Sequence, residues 1–328
     1  MTDISTKYMG LKLKNPIIAG SSGLTSNISD MLALEKSGAA AVVLKSLFEE
    51  EIIHNYKNKL QEVKLNVHYP EAQEYIGHHM KQMAVDEYLE LIIRSKKALS
   101  IPVIASINCV TSYEWPSFAH DIELAGADAL ELNIFFLPSD PQRMGAHIEE
   151  IYLDVMHEVL KKISIPVSVK VSPYFSGLSN SLLRFSFTGI KGMVLFNRFY
   201  SPDIDVETMK VTTGPVYSSP DEIYLPLRWI AMLSDRIYCD LAASSGIHDG
   251  KSLVKVLLAG AKAAEIASVL YQKGIGEISN MLKYLEDYLA RHKYSSVEEI
   301  IGKMSMRHID NPADFERVQF IKHFSGIE

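Results

Sequence analysis

Short apolar runs that end in a polar residue recur along this chain. Four of them lead directly into Lys45, Asn133, Lys170 and Asn197. Runs of this length favour strands that are buried on both faces, as in a parallel sheet covered by helices. Because chemistry collects at the carboxyl ends of the strands in such folds, we expect these two lysines and two amides to form a polar, cationic pocket floor.

The same pattern predicts eight strands. Three predicted helices end in Gly-Ala, at residues 38–39, 126–127 and 260–261, and each runs directly into a strand. Glycine suits these ends because it can adopt the left-handed conformation that stops a helix. Two further strands are predicted to begin at the valine of the sequence Ile-Pro-Val, where the proline lies just before the hydrogen-bonded part of the strand. The predicted strands span residues 17–19, 42–44, 103–106, 129–132, 167–171, 193–196, 237–242 and 263–266.

Amphipathic segments separate the predicted strands. Apolar residues at helical spacing predict helices over residues 86–99, 147–163, 221–233 and 275–291. Eight alternating strand and helix units predict an α/β fold, a (β/α)8 TIM barrel with an N-terminal hairpin. Two connections, 47–85 and 198–220, are longer than simple turns. We expect them to be lids or binding loops at the C-terminal face of the strands.

Length and composition refine this architecture. A chain of 328 residues suits one large barrel, predicted over residues 1–304, with an appended segment over 305–328 that covers a barrel edge or a subunit contact. The hydrophobic fraction of 47% and the charged fraction of 22% are typical of a soluble globular protein. The sequence shows neither a membrane-spanning stretch nor a secretory signal, so we expect a cytoplasmic protein.

Charge and cysteine content narrow the class of function. A formal net charge of −7 argues against nucleic-acid binding, which needs concentrated positive charge. Two cysteines, Cys109 and Cys239, cannot build a disulfide framework or a four-thiolate site, so any iron–sulfur chemistry would sit on another chain. Histidine and acidic residues do not occur at metal-ligand spacing, and no metal site is expected.

Six short phrases carry a family resemblance. In chain order they are Leu13-Lys14-Asn15-Pro16-Ile17, Ser21-Ser22-Gly23, Leu44-Lys45-Ser46, Glu131-Leu132-Asn133, Val169-Lys170-Val171-Ser172-Pro173-Tyr174 and Ser245-Gly246-Ile247. Their order and spacing resemble the class 1 dihydroorotate dehydrogenases, flavin mononucleotide (FMN) enzymes on this same barrel. The resemblance covers nearly the whole chain.

The resemblance implies an FMN site at the strand ends. It places Lys170 at the N1 and C2 carbonyl region of the flavin, where a fixed positive charge stabilises the anion that forms on reduction. The competing interpretation of Lys170 is a structural ion pair in the barrel mouth. The cofactor-binding residues that the resemblance implies are Ser21, Ser22, Gly23, Lys45, Ser46, Asn133, Lys170, Gly214, Ser245, Gly246 and Ser268.

The phosphate and substrate ends are also implied by the resemblance. Backbone amides of Ser245, Gly246 and Ser268, with the Ser268 hydroxyl, would cradle the phosphate, although the family has a glycine-richer turn here. Asn133 would lie between flavin and substrate, and Asn197 would hydrogen-bond the substrate. Asn197 also fits a loop-capping amide, and Gly214 also fits a simple turn residue.

One loop departs from the family at the catalytic base. The family has a cysteine there, or a serine in class 2, that removes a proton while hydride leaves for the flavin N5. The base position here is Phe136, or Leu137 if one residue is inserted before the proline. Neither side chain can accept a proton. The family's substrate-binding segment after the second strand is likewise unrecognisable between Tyr56 and Val85.

Several residues are candidate replacement bases. We slightly favour Ser139, because a serine on this loop serves in class 2 enzymes, although it also suits a helix cap before Pro141. The other candidates are Asp140 on the same loop, Cys109 and Tyr113 after the third strand, and His78 and His79 in the long loop. The predicted catalytic set is Lys170, Asn133 and Ser139.

Three functions follow from these residues. The main hypothesis is an FMN-dependent oxidoreductase that converts dihydroorotate to orotate in pyrimidine biosynthesis and passes electrons to a soluble acceptor or a partner subunit. A second is the same cofactor with another substrate, because Phe135 and Phe136 suggest an apolar wall where the family loop is polar. A third is a non-catalytic ligand-binding barrel. The family implies a homodimer and a small-molecule substrate.

Overall fold

Thirteen strands and nine helices lie in the residues that the computed structural model describes, which are 2–48, 70–108, 115–199 and 201–316, without the side chains of 70–81 and 115. The strands are β1 Thr6–Tyr8, β2 Leu11–Leu13, β3 Ile17–Ala19, β4 Ala41–Val43, β5 Leu47–Phe48, β6 Val103–Asn108, β7 Ala129–Asn133, β8 Val167–Val171, β9 Gly192–Leu195, β10 Pro202–Asp205, β11 Lys210–Thr213, β12 Asp240–Ser244 and β13 Ala263–Ile266. The helices are α1 Ile28–Lys36, α2 Pro70–Ala98, α3 Trp115–Leu124, α4 Gly145–Leu160, α5 Leu178–Ser186, α6 Tyr224–Leu233, α7 Gly250–Ala259, α8 Ser268–Lys273 and α9 Glu277–Arg291.

Eight parallel strands of the described residues close into a barrel. Their order is β4-β3-β13-β12-β9-β8-β7-β6, and β4 pairs with β6 to complete the ring. Helices follow the strands around the outside. Such closure removes the sheet edges and gathers every strand's carboxyl end at one face. The predicted (β/α)8 TIM barrel is confirmed.

Alternation along the strands separates two apolar layers. Ile18, Ala41 and Val43 belong to the cluster inside the barrel, whereas Ile17 and Val42 belong to the layer between the strands and the helices. Successive side chains of a strand point to opposite faces, so a run buried on both faces reads as continuously apolar. This is why the strand pattern was visible in the sequence.

The N-terminal hairpin of β1 and β2 closes the amino-terminal end of the barrel. Tyr8 and Leu13 join the interior cluster, and the Met9 amide donates to Asp240 Oδ2 at the start of β12 over 2.9 Å. A Cβ on Gly192, the first residue of β9, would lie 2.6 Å from the Met9 side chain. The hairpin therefore plugs the barrel at this end.

Three differences between the sequence-based boundaries and the structure change the description of the fold. The seventh barrel strand begins at Asp240 rather than at residue 237, because Ile237 packs against the outer core and Asp240 is the first residue to pair with β9. The connection 198–220 contains the hairpin of β10 and β11, whose residues are all exposed and so carry no burial pattern. Helix α2 begins at Pro70, within the long connection predicted before residue 86.

The beginning of the predicted appended segment contacts the barrel. The Met306 amide donates to the Ala231 carbonyl of α6 over 2.7 Å, and the Ser305 hydroxyl donates to Asp235. Residues 317–328 lie outside the described part of the chain. No helix of the described residues has the length and apolar character that a membrane crossing requires.

The aromatic packing of α5 yields a first prediction. Phe185 is fully buried and stacks on Tyr152 at a ring distance of 5.5 Å, so Phe185→Ala removes a large side chain from a packed site. We expect it to lower the free energy of unfolding by about 3–5 kcal/mol in urea denaturation. Phe187→Ala is the matched control, because Phe187 is 63% exposed. Equal losses in both variants would contradict this core assignment.

Candidate active site

The carboxyl ends of the barrel strands surround a polar cleft with two adjoining lobes of about 220 Å³ each. Ser21, Lys170 and Asn197 line both lobes and therefore lie where they meet. The lobe lined by Lys45 is called the Lys45 lobe, and the lobe lined by Ser268 is called the Ser268 lobe. The convergence of strand-end lysines and amides expected from the sequence is present.

The Lys45 lobe collects most of the predicted flavin residues. Its lining comprises Ser21, Ser22, Gly23, Lys45, Ser46, Phe48, Glu131, Asn133, Lys170 and Asn197. Hydroxyl groups tie its floor together: Ser46 Oγ lies 3.1 Å from Ser21 Oγ and 2.7 Å from Ser106 Oγ. These contacts join the ends of β3, β4 and β6, so the polar floor is held by three separate strands.

Asn133 and Asn197 are positioned by each other. The Asn197 side-chain amide donates to Asn133 Oδ1 over 2.7 Å. Asn133 is the last residue of β7 and pairs in register with Lys170 of β8. The bond therefore links Asn197, at the junction of the lobes, to Asn133 in the Lys45 lobe. A ligand in that lobe would lie beside both amides and Lys170.

The Ser268 lobe is built around a tight turn after β12. Ser245 and Gly246 both have positive φ angles, of 75° and 74°. A Cβ on Gly246 would lie 2.0 Å from the Ile223 nitrogen, so only glycine fits this approach. Ser268 Oγ accepts a hydrogen bond from the Ser218 amide over 3.0 Å, which leaves its own proton for a ligand.

Arg198 and His248 also border this lobe's turn region, and sequence reasoning did not single them out. Arg198 lines the lobe, donates to Glu222 Oε2 over 2.8 Å and bonds two backbone carbonyls of the following loop. His248 is buried, and its Nε2 lies 2.9 Å from Ser218 Oγ. Burial and the charge of Lys273 lower the pKa of His248, which favours the neutral ring.

Lys170 is held between two buried glutamates. Its Nζ lies 2.8 Å from Glu265 Oε2 and 3.9 Å from Glu131 Oε1. Burial lowers the pKa of Lys170, but the charges of Glu265 and Glu131 outweigh it and raise the pKa above its ordinary value. Lys170 is therefore a fixed positive charge. The structural ion pair weighed against the flavin role exists, and the same side chain also lines both lobes.

Glu131 and Glu265 are the main site residues that sequence reasoning missed. Both lie within strands and are about 1% and 3% exposed. A signal was present, because an acidic residue inside a run buried on both faces is costly unless it is paired. Burial and the neighbouring Glu265 charge raise the pKa of Glu131 well above its ordinary range, although Lys170 opposes them.

Other predicted residues lie outside the two lobes. Ser139 is exposed, and its amide donates to the Leu137 carbonyl. Gly214 follows β11 and donates to the Ser201 carbonyl over 2.8 Å. Cys109 and Tyr113, and the side chains of His78 and His79, lie outside the described residues. Within the described part, no cluster of three or more His, Cys, Asp and Glu side chains suited to a metal ion occurs.

The apolar wall expected from Phe135 and Phe136 is formed by other residues together with Phe135. Phe136 packs towards the core, edge-on to Tyr152 at 5.8 Å, so it does not face a ligand. Phe135 instead stacks on Phe199 at 3.9 Å, and Tyr174 meets Phe199 edge-on at 4.9 Å. Adjacent residues on an extended segment point to opposite sides, which explains the different surroundings of Phe135 and Phe136. The loops after β7, β8 and β9 thus share an aromatic cluster.

Fold and site together define a (β/α)8-barrel protein with a polar cleft around a fixed lysine at the carboxyl ends of its strands. The family model described as dihydroorotate dehydrogenase matches residues 3–289. The chain belongs to this family of dehydrogenases.

Curated relatives match over nearly the whole chain. The catalytic subunit of dihydroorotate dehydrogenase B (NAD(+)) from Thermoplasma acidophilum is 26% identical over 317 residues, covering 92% of this chain and 99% of the relative. The protein of that name from Endomicrobium trichonymphae is 25% identical, covering 92% and 96%. The chloroplastic dihydropyrimidine dehydrogenase (NADP(+)) of Arabidopsis thaliana is 22% identical, covering 92% and 76%.

The turn of the Ser268 lobe yields a second prediction. Gly246→Ala combines a strained positive φ with a clash against the Ile223 backbone. We expect it to lower the free energy of unfolding by more than about 1 kcal/mol in urea denaturation. Gly276→Ala is the control, since a Cβ there meets nothing within 4 Å. Superimposable unfolding curves for the two variants would show that the turn relaxes without cost.

Proposed function

We propose that this protein is an FMN-dependent oxidoreductase that acts on a CH–CH bond, with dihydroorotate as the first candidate substrate. The observation that carries the proposal is the continuity of the cleft. One lobe presents Lys170, Asn133 and Asn197, and the adjoining lobe presents the turn at Ser245 and Gly246. A ligand with a polar ring system at one end and a phosphate at the other matches this division.

The residues present fit FMN by their chemistry. Glu131 Oε1 and Glu265 Oε1 are buried without a hydrogen-bond partner among the described residues, and each glutamate lines a lobe. The Ser268 hydroxyl and the backbone amides of Ser245 and Gly246 are suited to a phosphate. Ser21, Ser22, Gly23, Lys45 and Ser46 would border the ring system from the opposite side of the cleft.

In this proposal, FMN supplies the acceptor for a hydride that leaves the substrate. The protein's own contribution is orientation and charge. Lys170 provides a positive charge that is already in place, so negative charge developing in the Lys45 lobe is stabilised without reorganisation. The bond between Asn197 and Asn133 holds both amides for substrate binding. The Ser46, Ser21 and Ser106 hydroxyl network keeps the lobe floor rigid.

A second substrate class is favoured by the loop after β7. Phe136 packs away from the cleft and Leu137 is exposed. Both side chains are hydrocarbon, so neither base position offers a proton acceptor. Phe135, Phe199 and Tyr174 form an aromatic cluster at the same rim. An apolar substrate is therefore the alternative to dihydroorotate. A ligand-binding barrel without catalysis is the third function, which the retained Lys170 and Asn133 argue against.

The electron acceptor and the assembly of this protein are inferred from its relatives. Two relatives are catalytic subunits by name, so we infer that electrons pass to a partner subunit or a soluble acceptor. A homodimer is what the family resemblance implies, and we propose that the protein acts in the cytoplasm. The replacement base remains Ser139 in this proposal, and its side chain is exposed on the loop after β7.

An anaerobic titration with dihydroorotate tests the substrate, and flavin absorbance is the measurement. We expect the purified protein to be yellow or to become so with added FMN, and to bleach at a catalytically useful rate. Ser139→Ala should then slow the bleaching, since it removes the proposed base. A yellow protein that a nicotinamide donor reduces but dihydroorotate does not would exclude dihydroorotate and favour the second class. A protein that takes up no FMN would exclude both.

Lys170→Met yields a third prediction. Loss of the fixed charge should slow flavin reduction by about 100-fold or more, the range seen when one preorganised stabilising group is removed. Stopped-flow absorbance of the FMN-loaded protein measures this rate. Lys161→Met is the control, because Lys161 pairs with Glu158 on the exposed surface of α4. An unchanged rate in Lys170→Met would contradict the role assigned to this lysine.

A further inference from the structure

Three ionisable side chains share the interior of the barrel directly beneath the junction of the lobes. Glu131 on β7, Lys170 on β8 and Glu265 on β13 all point inward, in the layers that also contain Ile18 and Val194. The Lys170 side chain is 12% exposed and those of the two glutamates about 1%. Three ionisable side chains are therefore buried at one place. The ion pair between Lys170 and Glu265 leaves the Glu131 carboxyl without an opposite charge of its own.

The charges of this cluster favour one bound proton. One ammonium and two carboxylates would leave a net negative charge in a buried site, which is unfavourable. Both carboxylates lie beside the same ammonium, Glu265 at 2.8 Å and Glu131 at 3.9 Å, so one proton on a glutamate makes the cluster neutral.

Glu131 is the member that holds the proton. Lys170 Nζ is 2.8 Å from Glu265 but 3.9 Å from Glu131, so Glu265 is the better-paired anion. The Tyr8 and Tyr88 hydroxyls near the cluster are buried, and burial raises their pKa values, so both are neutral. Two further cations face the cleft: Lys45 lines the same lobe as Glu131, and Arg198 lines the other lobe and pairs with Glu222.

We propose that Glu131, Lys170 and Glu265 hold one exchangeable proton under the cleft, and that this proton couples the charge state of the bound cofactor to pH. The coupling rests on the proposed FMN site, whereas the proton does not. Added negative charge in the Lys45 lobe makes the Glu131 proton harder to remove. The cluster therefore takes up a proton from solvent when the cofactor is reduced at a pH where Glu131 has begun to ionise. Glu131 and Glu265 act as positioning residues for Lys170.

The proton itself is tested without cofactor, by urea denaturation of the full chain across pH. A carboxyl whose folded pKa is raised contributes stability that is complete below its unfolded value, 4.5 for glutamate, and is lost as pH rises towards the folded pKa. In that window we expect the wild-type folding equilibrium constant to fall by up to tenfold per pH unit more than that of Glu131→Gln, which mimics the protonated form. If the stabilities of wild type and Glu131→Gln changed with pH in parallel, the proposed proton would be ruled out.

The coupling is tested by the midpoint potential of bound FMN as a function of pH. We expect the potential of Glu131→Gln to match wild type at low pH and to exceed it increasingly as pH rises, because the amide cannot ionise. Glu265→Gln should also abolish the extra pH dependence, since Glu131 then becomes the ionised partner of Lys170. Ser168→Ala is the control: Ser168 pairs in register with Glu131 but carries no exchangeable charge, so it should follow the wild-type curve.

The two measurements separate the two proposals. Stability curves that diverge in a protein that binds no FMN would support the proton and overturn the proposed function. Bound FMN whose potential has the same pH dependence in wild type and Glu131→Gln would support the flavin site and overturn the coupling. If Ser168→Ala shifted the potential as Glu131→Gln does, the effect would be one of packing, and the proposal would fail.

Discussion

The ion pair between Lys170 and Glu265 is the contact on which the rest of the site depends. It crosses the barrel interior, because β8 and β13 are not neighbours in the sheet. A slip of either strand by one residue would turn its charged side chain to the outer layer and leave its partner buried alone. An unpaired buried charge is far more costly than the loss of one apolar contact. The pair thus ties the strand register to the position of the lysine in the cleft.

The two ends of the barrel differ in the side chains that fill them. At the amino-terminal end, the hairpin of β1 and β2 contributes Tyr8 and Leu13 to the interior cluster and anchors to Asp240. At the carboxyl end, polar side chains replace apolar ones in the inward layers, beginning with Ser106, Glu131 and Ser168. Two members of this polar layer have polar neighbours, since Ser106 Oγ lies 2.7 Å from Ser46 Oγ and Glu131 lies beside Lys170. Ser168 Oγ has no hydrogen-bond partner among the described residues.

The two sides of the cleft differ in how closely they follow the expectation from the sequence. Most residues expected to bind the cofactor line the two lobes, with Gly214 outside them, whereas the loop expected to carry the base has aromatic residues instead. Phe136 belongs to the core beneath α4, and Phe135 belongs to a rim cluster with Phe199. The two faces of the cleft are built from different elements, strand ends on one side and long loops on the other. Loops tolerate change more readily than paired strands, which fits the presence of aromatic residues at the expected base position.

The sequence by itself determined the barrel and the residues at its strand ends. Continuous apolar runs such as 41–43 require burial on both faces, and this requirement is local enough to be read from the chain. Lys45, Asn133, Lys170 and Asn197 could be placed at one face because every parallel strand ends there. The phrases around them also identified the family.

Only the tertiary structure decided which side chains meet. Glu131 and Glu265 are separated by 134 positions in the chain, counted from their residue numbers, and nothing local indicates that both reach Lys170. The hairpin of β10 and β11 escaped detection because exposed strands carry no burial period, and the seventh strand's start depended on pairing with β9. Local pattern reports whether a residue is buried, whereas pairing across the barrel depends on strand register, which belongs to the fold as a whole.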